Sequence, residues 1–405
     1  MRLENGVRFV TASWQKTYHG KLIQPAEIVR FIHSGDTLFL GSCCGEPQTL
    51  VEALVTNADG LRNVRIVNVS PPRGPSPYAR PDMSEHFRLL TFFGNLDSKE
   101  AIKNNHADYI PCHLSGIPAL FQNGDIRLDV ALVQVSPPDE YGYCSLGISV
   151  DCTRAAIDNA SIAIAEVNSE MPRTLGNSFV HVSKIHRFVE SSRPLITVDF
   201  DPNPTDAEKA LGRNVASLIP DGATLALGFG KIVDAVLYSL REKQDLGIHT
   251  GTISDGIVQL VEAGVVTNRK KAIDRNRIVT TMAMGTERLY RFCHNNPMVE
   301  MHPVEYTHNI ATLRRFENLF SINSAFQVDL YGQVSAEMMN GFHIGGTGGQ
   351  VDFVRGSKES KKGGSIICLL ATARDGTVSR IVSCLDAFTP VTSLRADIDY
   401  VVTEF

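Results

Sequence analysis

Three glycine-rich loops mark the places where this chain could do chemistry. The first opens at Gly41 in GSCCGEP, and the second at Gly228 in GFGK, which includes Gly230. The third runs from Gly341 to Phe353, GFHIGGTGGQVDF, with five glycines in nine residues, and is followed by Arg355 and Gly356. Such loops bring bare backbone N–H groups close to an oxyanion or a phosphate, although a glycine at a tight strand-to-helix turn leaves the same trace. The third loop holds more glycine than stability alone justifies, because each one loses more entropy on folding than another residue would. A ligand-contacting role is therefore expected there. Its spacing fits neither the dinucleotide fingerprint nor the phosphate loop that ends in Gly-Lys-Ser/Thr.

Side chains near these loops offer a short list of reactive groups. Cys43 and Cys44 lie by a helix start, where a thiolate can be stabilised, but a buried thiol is inert. Glu337 and Asp329 are carboxylates beside the third loop, and carboxylates near a site are more often structural than catalytic. His249 and Asp255 flank Gly251 and could orient a water, though a histidine at a strand end is more often a hydrogen-bonded structural residue. Tyr141, Tyr143, Phe326 and Met339 either line a ligand pocket or belong to the core.

The loops sit on a repeated design. The segment from Pro25 to Leu54 reads as helix, a turn at Ser34-Gly35-Asp36, strand Thr37 to Leu40, Gly41, and a helix near Gln48. Asn214 to Leu240 repeats it, with a turn at Pro220-Asp221-Gly222, strand Thr224 to Leu227, Gly228, and a helix near Val233. Short, continuously apolar strands of this kind are parallel strands covered on both faces. Further strands are expected at Val64 to Val69, Val130 to Val135, Ala163 to Val167, Ile278 to Met282, Leu319 to Ile322 and Ile366 to Leu370. Pro194, Pro202 and Pro204 mark a linker over about 193–205, which separates an N-terminal α/β domain, 1–192, from a C-terminal one, 206–405. In open α/β sheets ligands bind beyond the carboxyl ends of the strands, where Gly41 and Gly228 both fall.

Composition narrows the function classes. The 405 residues are 43% hydrophobic and 20% charged, with 39 Lys+Arg against 44 Asp+Glu, for a net charge of -5. Real cores can form, and no basic field attracts nucleic acid or an anionic membrane. Eight cysteines lack the paired spacings of a zinc site or a disulfide framework, so no metal is expected. Without a signal-peptide pattern or a membrane-spanning apolar run, the expected compartment is the cytoplasm.

Ser136-Pro137-Pro138-Asp139 with Gly142, Ala165-Glu166-Val167-Asn168, Ser254-Asp255-Gly256, Val261-Glu262-Ala263-Gly264, Met284-Gly285-Thr286, Asn296-Pro297-Met298-Val299-Glu300 and GGTGGQVDFVRG occur in one order between about Trp14 and Phe405. Together they resemble the acetyl-CoA hydrolase/transferase family, in its 4-hydroxybutyrate CoA-transferase-like branch of class I CoA-transferases. The resemblance implies two related open, mostly parallel α/β domains of that type. It also implies an acyl-CoA and a small carboxylic acid as substrates, coenzyme A being substrate rather than a permanently bound cofactor, and a homodimer or homotetramer. In that family a glutamate attacks the thioester, and an acyl-glutamyl anhydride and then a glutamyl-CoA thioester follow. One carboxylate must replace another without water, which calls for a dry crevice and backbone donors for each oxyanion. Carried over by motif, the oxyanion donors are Cys44 and Gly45 with Gly348 or Gly349. The coenzyme contacts are Gly228, Gly230, Met284, Gly285, Gly346, Gly348, Gly349 and Gln350.

Two departures qualify this. The family's glutamate falls on Gly251, in Ile248-His249-Thr250-Gly251, and a glycine has no nucleophile. Relatives also continue past the position of Phe405 into a further helix, which would make this copy shortened. The expected function is a CoA-transferase or an acyl-CoA hydrolase for short-chain substrates of the acetyl-, butyryl- or 4-hydroxybutyryl-CoA type. The alternative is a catalytically silent coenzyme A binder or partner subunit. A sugar-phosphate isomerase, the non-CoA reading, lacks support from Gly348-Gly349-Gln350.

Overall fold

Runs such as TLFL at 37–40 and VALVQV at 130–135 show no polar alternation, so both of their faces must be covered. A computed structural model, which describes residues 12–71, 76–95, 98–199, 203–339, 341–374 and 376–405, shows how this is done. One sheet of seven parallel strands contains β1 Thr37–Leu40, β2 Val64–Asn68, β3 Phe87–Thr91, β4 Ala107–Tyr109, β5 Val130–Val135, β6 Ile162–Asn168 and β7 Arg187–Ser191. Their spatial order is β7-β6-β5-β1-β2-β3-β4. A second parallel sheet contains β8 Thr224–Leu227, β9 Gly247–Ile248, β10 Leu319–Ser324, β11 Gly364–Cys368 and β12 Tyr400–Val402, in the order β9-β8-β10-β11-β12. The two repeat strands, β1 and β8, are interior strands of their sheets, and every residue of both is buried.

Side chains alternate across a strand, and the alternation assigns the cores. Leu38 and Leu40 of β1, with Ile66 and Leu132, pack under Ile28, Leu50 and Leu54 from the covering helices. Phe39, Val67, Ala131 and Val133 point the other way, into a cluster that continues through Leu225, Ile248, Ile253, Met282, Ile322 and Ile366. One hydrophobic core therefore runs from the second face of the first sheet into the second sheet.

The repeat is faithful in its strands and looser in its helices. The first copy begins with a 3-10 helix, Pro25–Phe31, and the second with a full α-helix, Asp206–Leu218. In both, a glutamate three residues on folds back to the backbone N–H that precedes the helix, Glu27 to Gln24 at 2.8 Å and Glu208 to Thr205 at 2.7 Å. The strand expected at Ile278 to Met282 divides into Ile278–Thr280 and Met282–Ala283. The break comes at Thr281, whose carbonyl turns to the N–H of Val150 at 3.0 Å. Of the expected linker, residues 200–202 lie outside the described residues. Among the described residues no helix is long and apolar enough to cross a membrane.

The Ala165-Glu166-Val167-Asn168 motif lies on β6 and is structural. Glu166 is buried, and its carboxylate accepts the N–H of Thr49 at 2.8 Å, the Thr49 hydroxyl at 2.7 Å and the N–H of Leu50 at 3.3 Å. It thus caps the helix Gln48–Thr56 from a neighbouring strand. Asn168 donates to Gln134 Oε1 and to the Arg193 carbonyl, both at 2.7 Å. Replacing Glu166 by Ala leaves buried N–H groups unpaired, and urea unfolding is expected to show a loss of about 2–4 kcal/mol, with a smaller loss for Glu166→Gln.

Candidate active site

The strand-end loops meet between the two sheets. After β1 the chain turns through Gly41 and Cys43, a non-glycine residue at φ 51° whose N–H reaches the Ser70 carbonyl at 2.9 Å. Gly45 follows, where a Cβ would stand 2.5 Å from that of Ser149. The segment at Ser149 continues the link, with Val150 N–H on the Thr281 carbonyl at 3.0 Å and Ala283 N–H on the Ile148 carbonyl at 2.9 Å. Met282 N–H in turn reaches the Gly251 carbonyl at 3.0 Å, joined by Thr280 Oγ1 at 3.2 Å. A three-layer backbone ladder therefore connects the first-repeat loop to Gly251. Burial pushes the Cys43 thiol far up, which makes it a packing group. Glu46 closes the same loop, its carboxyl pushed up to about 7 by burial while Tyr78 donates to it at 2.9 Å.

The second loop forms a cleft. Gly228 packs against Asn323, and Gly230, at φ 127°, precedes the helix Lys231–Ser239. The cleft beside them is shared by Thr252 and Ser254. It adjoins a cavity of about 230 Å³ lined in part by Asp234, Ser254, Asp255, Met284 and Gly285. Asp255 shapes this wall by accepting the Thr286 N–H at 2.8 Å and the Thr286 hydroxyl at 2.7 Å, and a Cβ on Gly285 would overlap its carboxylate. Gly228, Gly230, Met284 and Gly285 are thus brought to one region. Lys231 and Arg288 also line the cavity, held by Glu208 and Glu262 respectively.

In the third loop several glycines serve the close approach of the protein to itself. A Cβ on Gly346 would stand 2.7 Å from the Phe92 carbonyl, and one on Gly345 would overlap that of Ala336. Gly348 has φ 48° and lies against Phe93. Gly94 N–H reaches Gly345 O at 2.9 Å, and Leu114 N–H reaches Gly348 O at 2.8 Å, so the loop is the joint onto the β3–β4 side of the first sheet. Gln350, at the start of the helix Gln350–Glu359, donates to Ser393 Oγ at 3.0 Å.

Gly251 and Gly349 face each other across one side chain, the imidazole of His308. A Cβ on Gly251 would stand 2.9 Å from His308 Nε2, and a Cβ on Gly349 would overlap the same ring. His308 follows the short helix Val304–Thr307, which Pro303 starts and which is tied across the seam by Val304 N–H on the Asp151 carbonyl at 3.2 Å. Its Nδ1 meets Thr307 Oγ1 at 2.8 Å, and its ring packs on Phe353 at 4.5 Å between centroids. His249 sits behind, donating from Nε2 to the Thr307 carbonyl at 3.0 Å.

Comparison with known proteins now has a geometry to attach to. Residues 6–203 match the acetyl-CoA hydrolase/transferase N-terminal domain, and residues 285–405 match the C-terminal domain of the same name. The chain belongs to the acetyl-CoA hydrolase/transferase family. It is 46% identical to the 4-hydroxybutyrate coenzyme A transferase of Clostridium kluyveri, over 97% of this chain and 91% of that one. Among solved structures it resembles RipA from Yersinia pestis, with a TM-score of 0.89 at 33% identity over 97% of this chain and 91% of that one. It also resembles 4-hydroxybutyrate CoA-transferase from Porphyromonas gingivalis, with a TM-score of 0.83 at 35% identity over 96% and 90%. Family and relatives are CoA-transferases and hydrolases, so the chain is an enzyme by descent.

Within this family member the other carboxylates considered as nucleophiles are occupied. Glu337 is buried and accepts the Tyr109 hydroxyl at 2.7 Å and the Thr392 hydroxyl at 2.8 Å. Asp329 closes a turn through the N–H groups of Tyr331 and Gln333. Tyr141, Tyr143 and Met339 are exposed rather than core residues. His308 escaped the sequence reading because nothing local singles out Tyr306-Thr307-His308. Its meaning comes from Gly251 and Gly349, which are distant in the chain. Burial pulls the His308 imidazole down to about 3 and moves His249, also next to the Lys271 charge, in the same direction.

Two outcomes follow from the crowding and the burial. Gly251→Ala is expected to cost about 1–3 kcal/mol by overpacking against the ring, and His308→Ala in the same chain recovers much of it, as thermal melts of both variants will show. A histidine whose folded pKa is depressed contributes stability that is full above its unfolded value of about 6.5 and is lost as pH falls towards about 3. Urea midpoints measured from pH 7 to 4 should therefore decline, and His308→Asn should decline less steeply.

Proposed function

We propose that this enzyme acts on the thioester of a short-chain acyl-CoA, of the acetyl-, butyryl- or 4-hydroxybutyryl-CoA type, in the crevice where its strand-end loops meet. Support comes from relatives named for CoA transfer and acetyl-CoA hydrolysis, together with the meeting of strand-end loops at the seam, where Gly45 packs on Ser149 and Gly349 on His308. Coenzyme A is a substrate in this reading, seated by the Gly228-Gly230 cleft and the wall at Met284 and Gly285, with Gly346, Gly348 and Gln350 on the opposite side. Backbone N–H groups at Cys44, Gly348 and Gly349 would hold the oxyanion that forms when the thioester carbon is attacked, whereas the N–H of Gly45, also expected to serve, is given to the Ser42 carbonyl at 2.9 Å.

The observation that selects between transfer and hydrolysis is Gly251. In this reading, carried over by motif, the family's nucleophilic glutamate falls on this residue, and the space beyond its α-carbon is filled by His308. A covalent glutamyl route has no side chain to run through, so water is the expected acyl acceptor. The competing reading, a silent coenzyme A binder, draws on the same glycine and predicts binding without turnover.

Thiol release from acetyl-CoA and butyryl-CoA, followed with a chromogenic disulfide, separates these readings. Steady release without any added acid is expected. Borohydride treatment during turnover should leave the protein mass unchanged, since no glutamyl thioester exists to be reduced. A reduced adduct on a glutamate would overturn the hydrolytic assignment, and a thermal shift with coenzyme A but no thiol release would favour the silent binder.

A further inference from the structure

The cavity beside the second loop has chemistry that the crevice at the seam leaves unused. Three helices wall it, Lys231–Ser239, Asp255–Glu262 and Glu287–Cys293, while Gly251, His308 and Gly349 lie outside its lining. Its volume of about 230 Å³ exceeds the roughly 150 Å³ in which an apolar cavity holds a benzene ring, so there is room for a fused two-ring base. Leu237, Leu260 and Met284 give it an apolar wall. Lys231, Arg241 and Arg288 bring three cations to the same space from three separate stretches of chain. Lys231 is paired with Glu208 at 3.1 Å and Arg288 with Glu262, and both cationic side chains stay half-exposed. Arg241 has only a neutral partner: its guanidinium donates to Gln259 Oε1 at 2.9 Å and lies over the exposed ring of Tyr238, 4.4 Å from the centroid. The acids in the wall are already engaged. Asp255 holds Thr286, and Asp234, its carboxyl raised by burial, takes the Ser254 hydroxyl at 2.7 Å.

The structure assigns this cavity to a nucleoside phosphate, its base resting against Leu237, Leu260 and Met284 beside Tyr238, and its phosphates meeting Arg241, Lys231 and Arg288. An aromatic ring with a guanidinium stacked on it offers a surface on which a base stacks, and the guanidinium fork matches phosphate oxygens. A bare anion would make no use of the apolar wall, and an apolar ligand would make no use of the cations. Together the two features select a ligand that is flat and apolar at one end and multiply charged at the other. Coenzyme A carries such a group at the end away from its thiol, and free adenine nucleotides carry it too. The first source rests on the reading above, in which Met284 and Gly285 seat coenzyme A. The second does not depend on it.

The test titrates the full chain with adenosine 3′,5′-bisphosphate and with inorganic phosphate by calorimetry, alongside thermal melts. The bisphosphate at saturation is expected to raise Tm by at least ~2 °C, and phosphate alone to bind at least ~10-fold more weakly. Arg241→Ala is expected to weaken the bisphosphate by at least ~10-fold. Tyr238→Ala should weaken it as well but leave phosphate within about threefold of the parent. Both side chains are exposed, so the variants are expected to melt with the parent when no ligand is added, and Arg241→Gln replaces Arg241→Ala if that variant does not fold. No Tm shift with the bisphosphate, phosphate binding as tightly as the bisphosphate, or bisphosphate affinity within about threefold of the parent in both variants each overturn the assignment. Competition names the source. If the bisphosphate and coenzyme A exclude one another, the group is the coenzyme's own end; if they bind together, it is a separate nucleotide, and the site stands in both cases. A parent that releases thiol from acetyl-CoA but ignores the bisphosphate removes this site and keeps the thioester reading. A parent that binds the bisphosphate through Arg241 and releases no thiol keeps the site and removes hydrolysis.

Discussion

Between the two sheets the backbone at Gly45 runs against Ser149, that at Gly346 against Phe92 and that at Gly349 against His308, and each approach leaves no room for a Cβ. The loops that meet there come from strand ends in both halves of the chain, and they can interleave because their α-carbons carry hydrogen alone. The ladder from Gly45 through Val150 and Met282 to Gly251 depends on these contacts, as does the docking of the third loop on Gly94 and Leu114. The glycines that look like a ligand cradle are first a condition for closing the seam. Any ligand then meets backbone that the packing has already fixed.

Burying so many carboxylates is tolerable where each has hydrogen-bond partners close by. Glu166 caps a helix, Glu337 holds two hydroxyls, Asp255 fixes Thr286, and Asp151 gathers donors from Ser149 and Thr153. Their carboxylates are spent on architecture. Lys271 follows the same logic from the opposite sign. Burial lowers it to about 7 while Nζ donates to the carbonyls of Ile248 and Arg277 at 2.9 and 2.7 Å.

Much of the scaffold was legible in the sequence. Thr37–Leu40, Val130–Val135 and Thr224–Leu227 fall at their expected limits because continuous apolar runs bounded by turns leave little freedom of assignment. Phe87–Thr91 went unread, since Arg88 interrupts the run, and the charged Arg187–Ser191 at the sheet edge was hidden in the same way. The site was legible to the extent that it consists of strand-end glycines. Their partners were not, because local pattern says nothing about which distant side chain fills the space above a missing Cβ. His308 is 57 residues from Gly251 and 41 from Gly349 in sequence, and the fold alone makes them neighbours.

A core continuous through both sheets has a mechanical consequence. Interiors packed this way resist compression and transmit strain, and they do not yield locally. Parting the seam to admit a ligand would pull Met282 and Ile253 away from Val150 and Ile148, so it would breach the same cluster that joins Phe39 to Leu225. Hinge opening is therefore an expensive way in. The cleft at Gly228 and Ser254 and the cavity beside it lie outside that join, so a molecule lodged there leaves the two sheets closed on each other.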